Sequence, residues 1–345
     1  MLKLHKVGAS IHSVSALGAV LLLTLPAAAQ TTADFYRGKT ITISVGLGPG
    51  GGYDRHARTV ARHIGKHIPG NPAVVVKNVP GAGGLVLANA LYNIAPKDGT
   101  EFGTFSRSIP LDPLLGNPQA RFDPLKFLWL GSTSNEINTC VAWHTAPVKN
   151  IDDLKKLELL VAGTGPLVDT VIYPTLLNAI TGTKFKIVQG YKGSADALLA
   201  MENGETQGFC AWGWVTMNVE RPDWVRERKV IPLVQFGLRK HPDHPDTPLA
   251  QDLATTPQDR QAIELVVSPL LFARPFAAPP GLPTDRAAAL RSAFEAAVKD
   301  PEFIAEADKQ KLEPELVTGV EIDATLARLY KTPKAVIDRV KNSIN

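Results

Sequence analysis

Glycines supply the first chemistry to weigh in this chain. Gly46-Leu47-Gly48-Pro49-Gly50-Gly51 matches G-x-G-x-x-G, directly after a strand-like run and directly before a helix-like one. Such a loop holds a dinucleotide when an Asp or Glu about 20 residues on binds the ribose hydroxyls. No acidic residue occurs between Asp54 and Asp98, and the next apolar run ends in Lys77 and Asn78. The ribose ligand is missing where it should stand, and no Gly-Lys-Ser/Thr follows to make a P-loop. What remains is general. A glycine turn opening a helix offers backbone N–H groups and the positive end of a helix dipole, which suit a carboxylate as well as a phosphate.

Two further junctions have the same character: Pro80-Gly81-Ala82-Gly83-Gly84, and Gly163-Thr164-Gly165. Three strand–glycine–helix junctions in one chain predict a cleft lined with backbone donors. Arg107, just after a strand in "GTFSRSIP", is a candidate clamp for a carboxylate, with a surface arginine as the alternative. Trp212 and Trp214 in "FCAWGW" are candidates to stack on a ligand or to fill a core. His56, His63 and His67 share one helix face, but no carboxylate or cysteine accompanies them in sequence, so neither a metal nor a cofactor is expected. A nucleophile elbow, H-E-x-x-H and Ser-x-x-Lys are all absent, which leaves only an exported hydrolase using Ser106 or Thr164 as an enzymatic alternative.

The elements that must position these groups alternate. Strands are expected at 40–46, 73–79, 101–106, 137–143, 158–163, 185–190, 206–212, 230–236 and 264–273, separated by stretches of helical period, the pattern of an α/β chain with mostly parallel sheets. After Gly51 the period puts Ala57, Val60, Ala61, Ile64 and Ile68 on one helix face, with Arg55, Arg58, Arg62 and Lys66 roughly opposite as a solvated stripe. A helix starting at Pro283-Thr284-Asp285 reads as a packing element.

The first residues carry Lys3 and Lys6, an apolar core near residues 16–25 and Ala27-Ala28-Ala29, the form of a secretory signal cut after Ala29. Removing residues 1–29 takes two lysines and no acid, so the net charge falls from +4 to +2. That near balance, with no block of like charge, argues against nucleic acid as a partner. Cys140 and Cys210 are too few for a disulfide framework; they pair or serve as small buried residues. The Pro-rich stretch 238–250 reads as a crossover, with another near 131–136. These divide the chain into lobe 1 (30–133 plus 250–345) and an inserted lobe 2 (134–249), with a ligand cleft between.

The ordered series "GPGGGYDRHAR", "VVVKNVPGAGG" then "APKDGT", "GTGP" and "GYKGSADALLAMENGE" resembles the extracytoplasmic solute-binding receptors of tripartite tricarboxylate transporters, the Bug receptors, from about residue 38 to about residue 330. The resemblance implies a two-lobed periplasmic binding fold, monomeric, that closes on an organic carboxylate and delivers it to membrane permease subunits. It implies ligand contacts from Gly50, Gly51, Gly52, Tyr53 and Asp54, from Gly81, Ala82, Gly83 and Gly84, and from Gly163, Thr164 and Gly165, with Tyr191 near the cleft. Ser106, Arg107 and Trp212 complete the candidate set. A sensor subunit presenting ligand to a membrane kinase would use the same fold. Tyr53 and "KDGTE" (residues 97–101) depart from the family pattern, so the particular carboxylate does not carry over.

Overall fold

Eight of the eleven strands in the described residues arise where β-branched and aromatic runs were expected, those at 128–132, 275–278 and 317–318 were not foreseen, and together they assemble into two sheets. A computed structural model of the chain describes residues 1–4, 8, 31–165, 168–191, 193–312 and 314–344. The expected signal segment therefore lies almost wholly outside the described residues. Among those described, no helix is long and apolar enough to cross a membrane.

The first sheet takes β1 (Thr40–Val45), β2 (Ala73–Asn78), β3 (Glu101–Thr104) and β4 (Leu128–Ser132), then, after a long excursion, β10 (Pro275–Ala278) and β11 (Val317–Thr318), in the order β11-β4-β10-β3-β1-β2. The excursion forms the second sheet from β5 (Asn138–Trp143), β6 (Leu159–Gly163), β7 (Phe185–Gln189), β8 (Gly208–Gly213) and β9 (Val230–Phe236), in the order β7-β6-β8-β5-β9. The α/β class holds. The parallel pairing expected for most of each sheet is confined to β2-β1-β3 and to β7-β6-β8, where a helix covers each crossover. Strands that enter or leave at the crossovers between sheets pair antiparallel, so both sheets are mixed.

Two sequence expectations need correction. Residues 264–273 are not a strand: Pro257–Val267 is a helix whose N-cap Thr256 accepts from the Asp259 N–H, and a tight turn over Ser268–Phe272 follows. Capping and a buried face of Ala262, Ile263, Val266 and Val267 override the β-branched composition. The stretch 238–250 is not the return crossover. It folds back onto β9, where the Gln235 side chain donates to the carbonyls of His244 and Thr247 and accepts from the His241 N–H. The return instead runs through 270–274, beside the outgoing segment. Thr133 N donates to Arg274 O, Ala273 N to Ser134 O and Glu136 N to Leu270 O, at 3.3, 2.9 and 3.0 Å. The helix Pro257–Val267 and the C-terminal helix Lys334–Ile344 also pack with helix Asp169–Thr181 of the second sheet.

The helix Gly52–Ile64 buries Ala57, Val60 and Ile64 as its period requires. Its basic stripe is not simply solvated, because Arg62 and His63 meet Glu306 while Lys66 and His67 meet Asp300 on the neighbouring helix Pro301–Lys309. Cys140 in β5 and Cys210 in β8 form a disulfide across adjacent strands, with Cα atoms 4.0 Å apart.

Candidate functional site

The opening glycine loop is held from within. The Asp54 carboxylate, buried in the first turn of helix Gly52–Ile64, accepts from Gly50 N (2.8 Å), Asn78 Nδ2 (2.9 Å) and Arg58 Nε (2.9 Å). Asn78 also donates to Leu47 O, so the end of β2 pins both sides of the turn. Burial alone would raise the Asp54 pKa; the bonds from Arg58, Gly50 and Asn78 outweigh it and hold the carboxyl below its ordinary range. Asp54 thus organises the loop from within. Its fixed turn leaves the first N–H groups of the helix without intrahelical acceptors.

The three junctions converge through close backbone approach. A side chain on Gly46 would meet Gly84 Cα at 2.7 Å, and one on Gly84 would meet Phe105 Cβ at 2.6 Å, with Gly84 at φ +101°. Gly83 O accepts from Ser106 N, and the Tyr53 hydroxyl accepts from Arg107 N at 3.0 Å. From the second sheet, Thr164 N and Oγ1 both meet Thr170 Oγ1 at 3.0 Å, and the Gly163 carbonyl accepts from Gly190 N and Tyr191 N. Val168, at the head of helix Asp169–Thr181, lies 3.6 Å from where a Gly83 side chain would begin, so the second and third junctions abut.

Arg107 ties these parts together. Its side chain, 6% exposed, pairs with Glu136 Oε2 at 3.1 Å and with Asp169 Oδ2 at 2.7 Å. The other oxygen of Glu136 takes Arg274 Nη2 at 2.6 Å, and Arg274 lies over the Tyr53 ring at 4.6 Å. Two buried guanidiniums, the buried Asp169 carboxylate and the partly buried Glu136 carboxylate thus balance at the meeting of first sheet, crossovers and second sheet. Desolvation works against the Arg107 charge, but Asp169, then Tyr53 and Glu136, hold its pKa well above the arginine range. The Nε atoms of Arg107 and Arg274 are buried without a hydrogen-bond partner.

Beside this cluster opens a cavity of about 660 Å³. Its inner wall is Gly52, His56, Glu136 and Arg274; its outer wall includes Gly213–Thr216 at the end of β8, Arg239 and Leu312. The lining carries five cations (Arg55, Arg239, Arg274, Lys299, Lys311) against three anions (Glu136, Asp308, Glu315), an excess that attracts negatively charged solutes. His56 is buried with its Nδ1 2.8 Å from Thr133 Oγ1. Burial, then Arg274 and Arg55, push its pKa well below the histidine range, so it stays neutral.

Of the expected contacts, Gly52 lines this cavity, and Tyr53 and Arg107 stand behind its wall. The residues Gly81, Ala82, Gly83, Gly84, Gly163, Thr164 and Gly165 do not line this cavity, and Val168 lies between the two junctions they form. Trp212 is buried among Phe209 and Trp224 and donates to Glu220 Oε2 at 3.1 Å; this is the core-filling alternative of the two the sequence left open, and Trp214 lines the cavity, braced against His244. Tyr191 packs partly against the same aromatic cluster. The Ser106 hydroxyl bonds to Ser108 and that of Thr164 to Thr170, while His56, His63 and His67 engage Thr133, Glu306 and Asp300, so neither hydroxyl named in the hydrolase alternative, Ser106 or Thr164, is paired with one of these imidazoles. Glu136 and Arg274 were not foreseen, whereas Trp214 was a candidate from the sequence and His56 was weighed there only as a metal ligand. The only sequence signal for the first two was their position near segments that cross between sheets.

No family model matches the chain. Among curated proteins it is 24% identical over 338 residues to a UPF0065 protein of Cupriavidus necator, covering 94% of each chain. Its fold is shared with the periplasmic binding protein BugD at a TM-score of 0.69 and 20% identity, covering 89% of this chain and 98% of that one. It is also shared with an adipate-bound protein of Rhodopseudomonas palustris at 0.67 and 18%, covering 88% and 97%, and with malate-bound MatC of the same organism at 0.64 and 19%, covering 89% and 99%. These structural neighbours, of the type the motif series resembled, are described as binding proteins or bound to small carboxylates.

Proposed function

We propose that the chain is a periplasmic solute-binding receptor that captures a small organic carboxylate and passes it to the membrane subunits of a tripartite tricarboxylate-type transporter. In this reading residues 1–29 are removed after Ala29 on export, and the mature receptor acts as a monomer without catalysis. The observation that carries the proposal is the cationic cavity at the first turn of helix Gly52–Ile64, set where both crossovers run side by side. The shared fold with malate- and adipate-bound proteins supports the same class of ligand.

The lobes hinge at 133–136 and 270–274. Parting them separates Val168 from Gly83 and Asp169 from Arg107, freeing the junction amides at 81–84 and 163–165 to meet a carboxylate that enters beside Gly52. Closure is favoured because only the closed state gives the ligand contacts from both sheets. A thermal-shift screen of the mature chain against mono-, di- and tricarboxylates tests this: a ligand at 100 times its Kd adds about 2.7 kcal/mol of stability. A shift with sugars or nucleotides and none with any carboxylate would sink the proposal.

A further inference from the structure

We infer that Glu136 is a built-in competitor for the ligand, a carboxylate of the protein's own that occupies the Arg107–Arg274 clamp and is displaced when a solute carboxylate enters. The inference rests on the receptor reading above and assigns the residue that sets its affinity.

Three observations carry it. First, the geometry around Glu136 is that of a bound carboxylate: each oxygen is taken by a different guanidinium, Arg107 at 3.1 Å and Arg274 at 2.6 Å, and both arginines are more than nine-tenths buried. Any solute carboxylate of the same shape can take those two donors. Secondly, Glu136 lies on the wall of the open cavity, next to Gly52 and Gly213. A Gly213 side chain would begin 3.4 Å from Glu136 Oε2, so the glycine leaves the space into which the carboxylate can swing. Thirdly, the clamp has spare donors aimed at nothing, since Nε of each arginine is buried and unpartnered. A ligand that approaches side-on to either guanidinium uses an N–H that Glu136 leaves idle.

The electrostatics give the competition its direction. With Glu136 in place, the buried cluster of Arg107, Arg274, Glu136 and Asp169 is neutral, and an entering anion gains little from it. With Glu136 swung outward, the clamp holds one unmatched positive charge, which a solute carboxylate satisfies. Glu136 also sits on one crossover and Arg274 on the other, so exchanging their direct pair for a ligand-bridged one changes the contact that joins the two hinge segments.

The test compares Glu136→Gln with Glu158→Gln, a variant that removes an exposed charge outside the cavity without touching the clamp. Succinate and acetate serve as probes, with binding followed by calorimetry and melting temperature. Displacement predicts that E136Q binds succinate about tenfold more tightly than the native chain, because no charged competitor remains. It predicts that E158Q changes affinity less than about threefold, as expected of an exposed charge. It further predicts a lower melting temperature for unliganded E136Q and a larger ligand-induced rise. Glu136→Asp, which keeps the charge but withdraws it from the clamp, should shift affinity the same way by less and covers the case that E136Q does not fold. Equal or weaker binding by both Glu136 variants, with the native chain binding normally, overturns the inference alone. If the native chain and both variants bind no carboxylate, the receptor reading falls and takes this inference with it.

Discussion

Replacing Asp54 with Ala separates a loop organiser from a ligand contact. The side chain accepts from Gly50 N, Asn78 Nδ2 and Arg58 Nε, all within 2.9 Å. The two neutral donors contribute about 1 kcal/mol each, more where the acceptor is a buried carboxylate. The Arg58 side chain is 43% exposed, so its pair adds about 0.5 kcal/mol. The variant should lose about 2–4 kcal/mol of stability without ligand, read as a lower urea midpoint at unchanged slope. The pH dependence has a definite sign. Because the folded-state pKa lies below its ordinary value, the stabilisation is present above the unfolded aspartate range and is lost as pH falls through the folded value. Native and variant midpoints should therefore converge in strong acid. An unchanged midpoint at neutral pH, combined with lost carboxylate binding, would refute the reasoning and return Asp54 to the ligand shell.

Gly84→Ala places a Cβ 2.6 Å from that of Phe105 at φ +101° and should cost about 2–3 kcal/mol, whereas Gly182→Ala, at φ +72° with open space around it, should cost about 1 kcal/mol in the same denaturation assay. Mutating Cys140 and Cys210 together to Ser removes a staple across a 70-residue separation; chain-entropy reasoning gives a loss of about 4 kcal/mol, and a reductant should lower the native midpoint but not that of the double variant. Burial pushes the Asp112 carboxyl up to about 6, with only Asn117 in opposition, so its ionised form opposes folding above pH 6 and the penalty fades as pH falls toward the unfolded value. Asp112→Asn should stabilise the chain by about 1–3 kcal/mol at pH 7.5 and by almost nothing near pH 4, measured by thermal melts.

The strand–glycine–helix junctions were legible because each is local: a β-branched run, a turn that needs glycine, and a helical period. Even the chance G-x-G-x-x-G match had content, since Gly46 is the residue over which Gly84 closes. What the sequence could not show lies in contacts between distant segments. Arg107 finds Glu136 and Asp169, and Cys140 finds Cys210, only once the second sheet is built. The tryptophans illustrate a choice that sequence left open. Ala211 takes a positive φ of 61° and β8 shifts register against β5, so the side-chain alternation along β8 is broken one residue before Trp212. Trp212 is in the core and Trp214 on the cavity wall. The second crossover was misplaced because prolines at 242, 245 and 248 signal a turn without saying which way the chain then goes.

The order of strands in the first sheet has a consequence for how the chain is made. β10 lies between β3 and β4, so both expose open edges until residues beyond 274 arrive. The second sheet takes all of its strands from 138 to 236. During synthesis from the N-terminus the inserted half can therefore assemble first, while the half containing the chain's beginning waits for its end. A chain truncated at residue 273 would carry a finished second sheet beside two unpaired strand edges, the state in which edge-to-edge association is most dangerous. The glycine junctions of the first sheet thus take their final positions last, when the segment bearing Arg274 closes the gap.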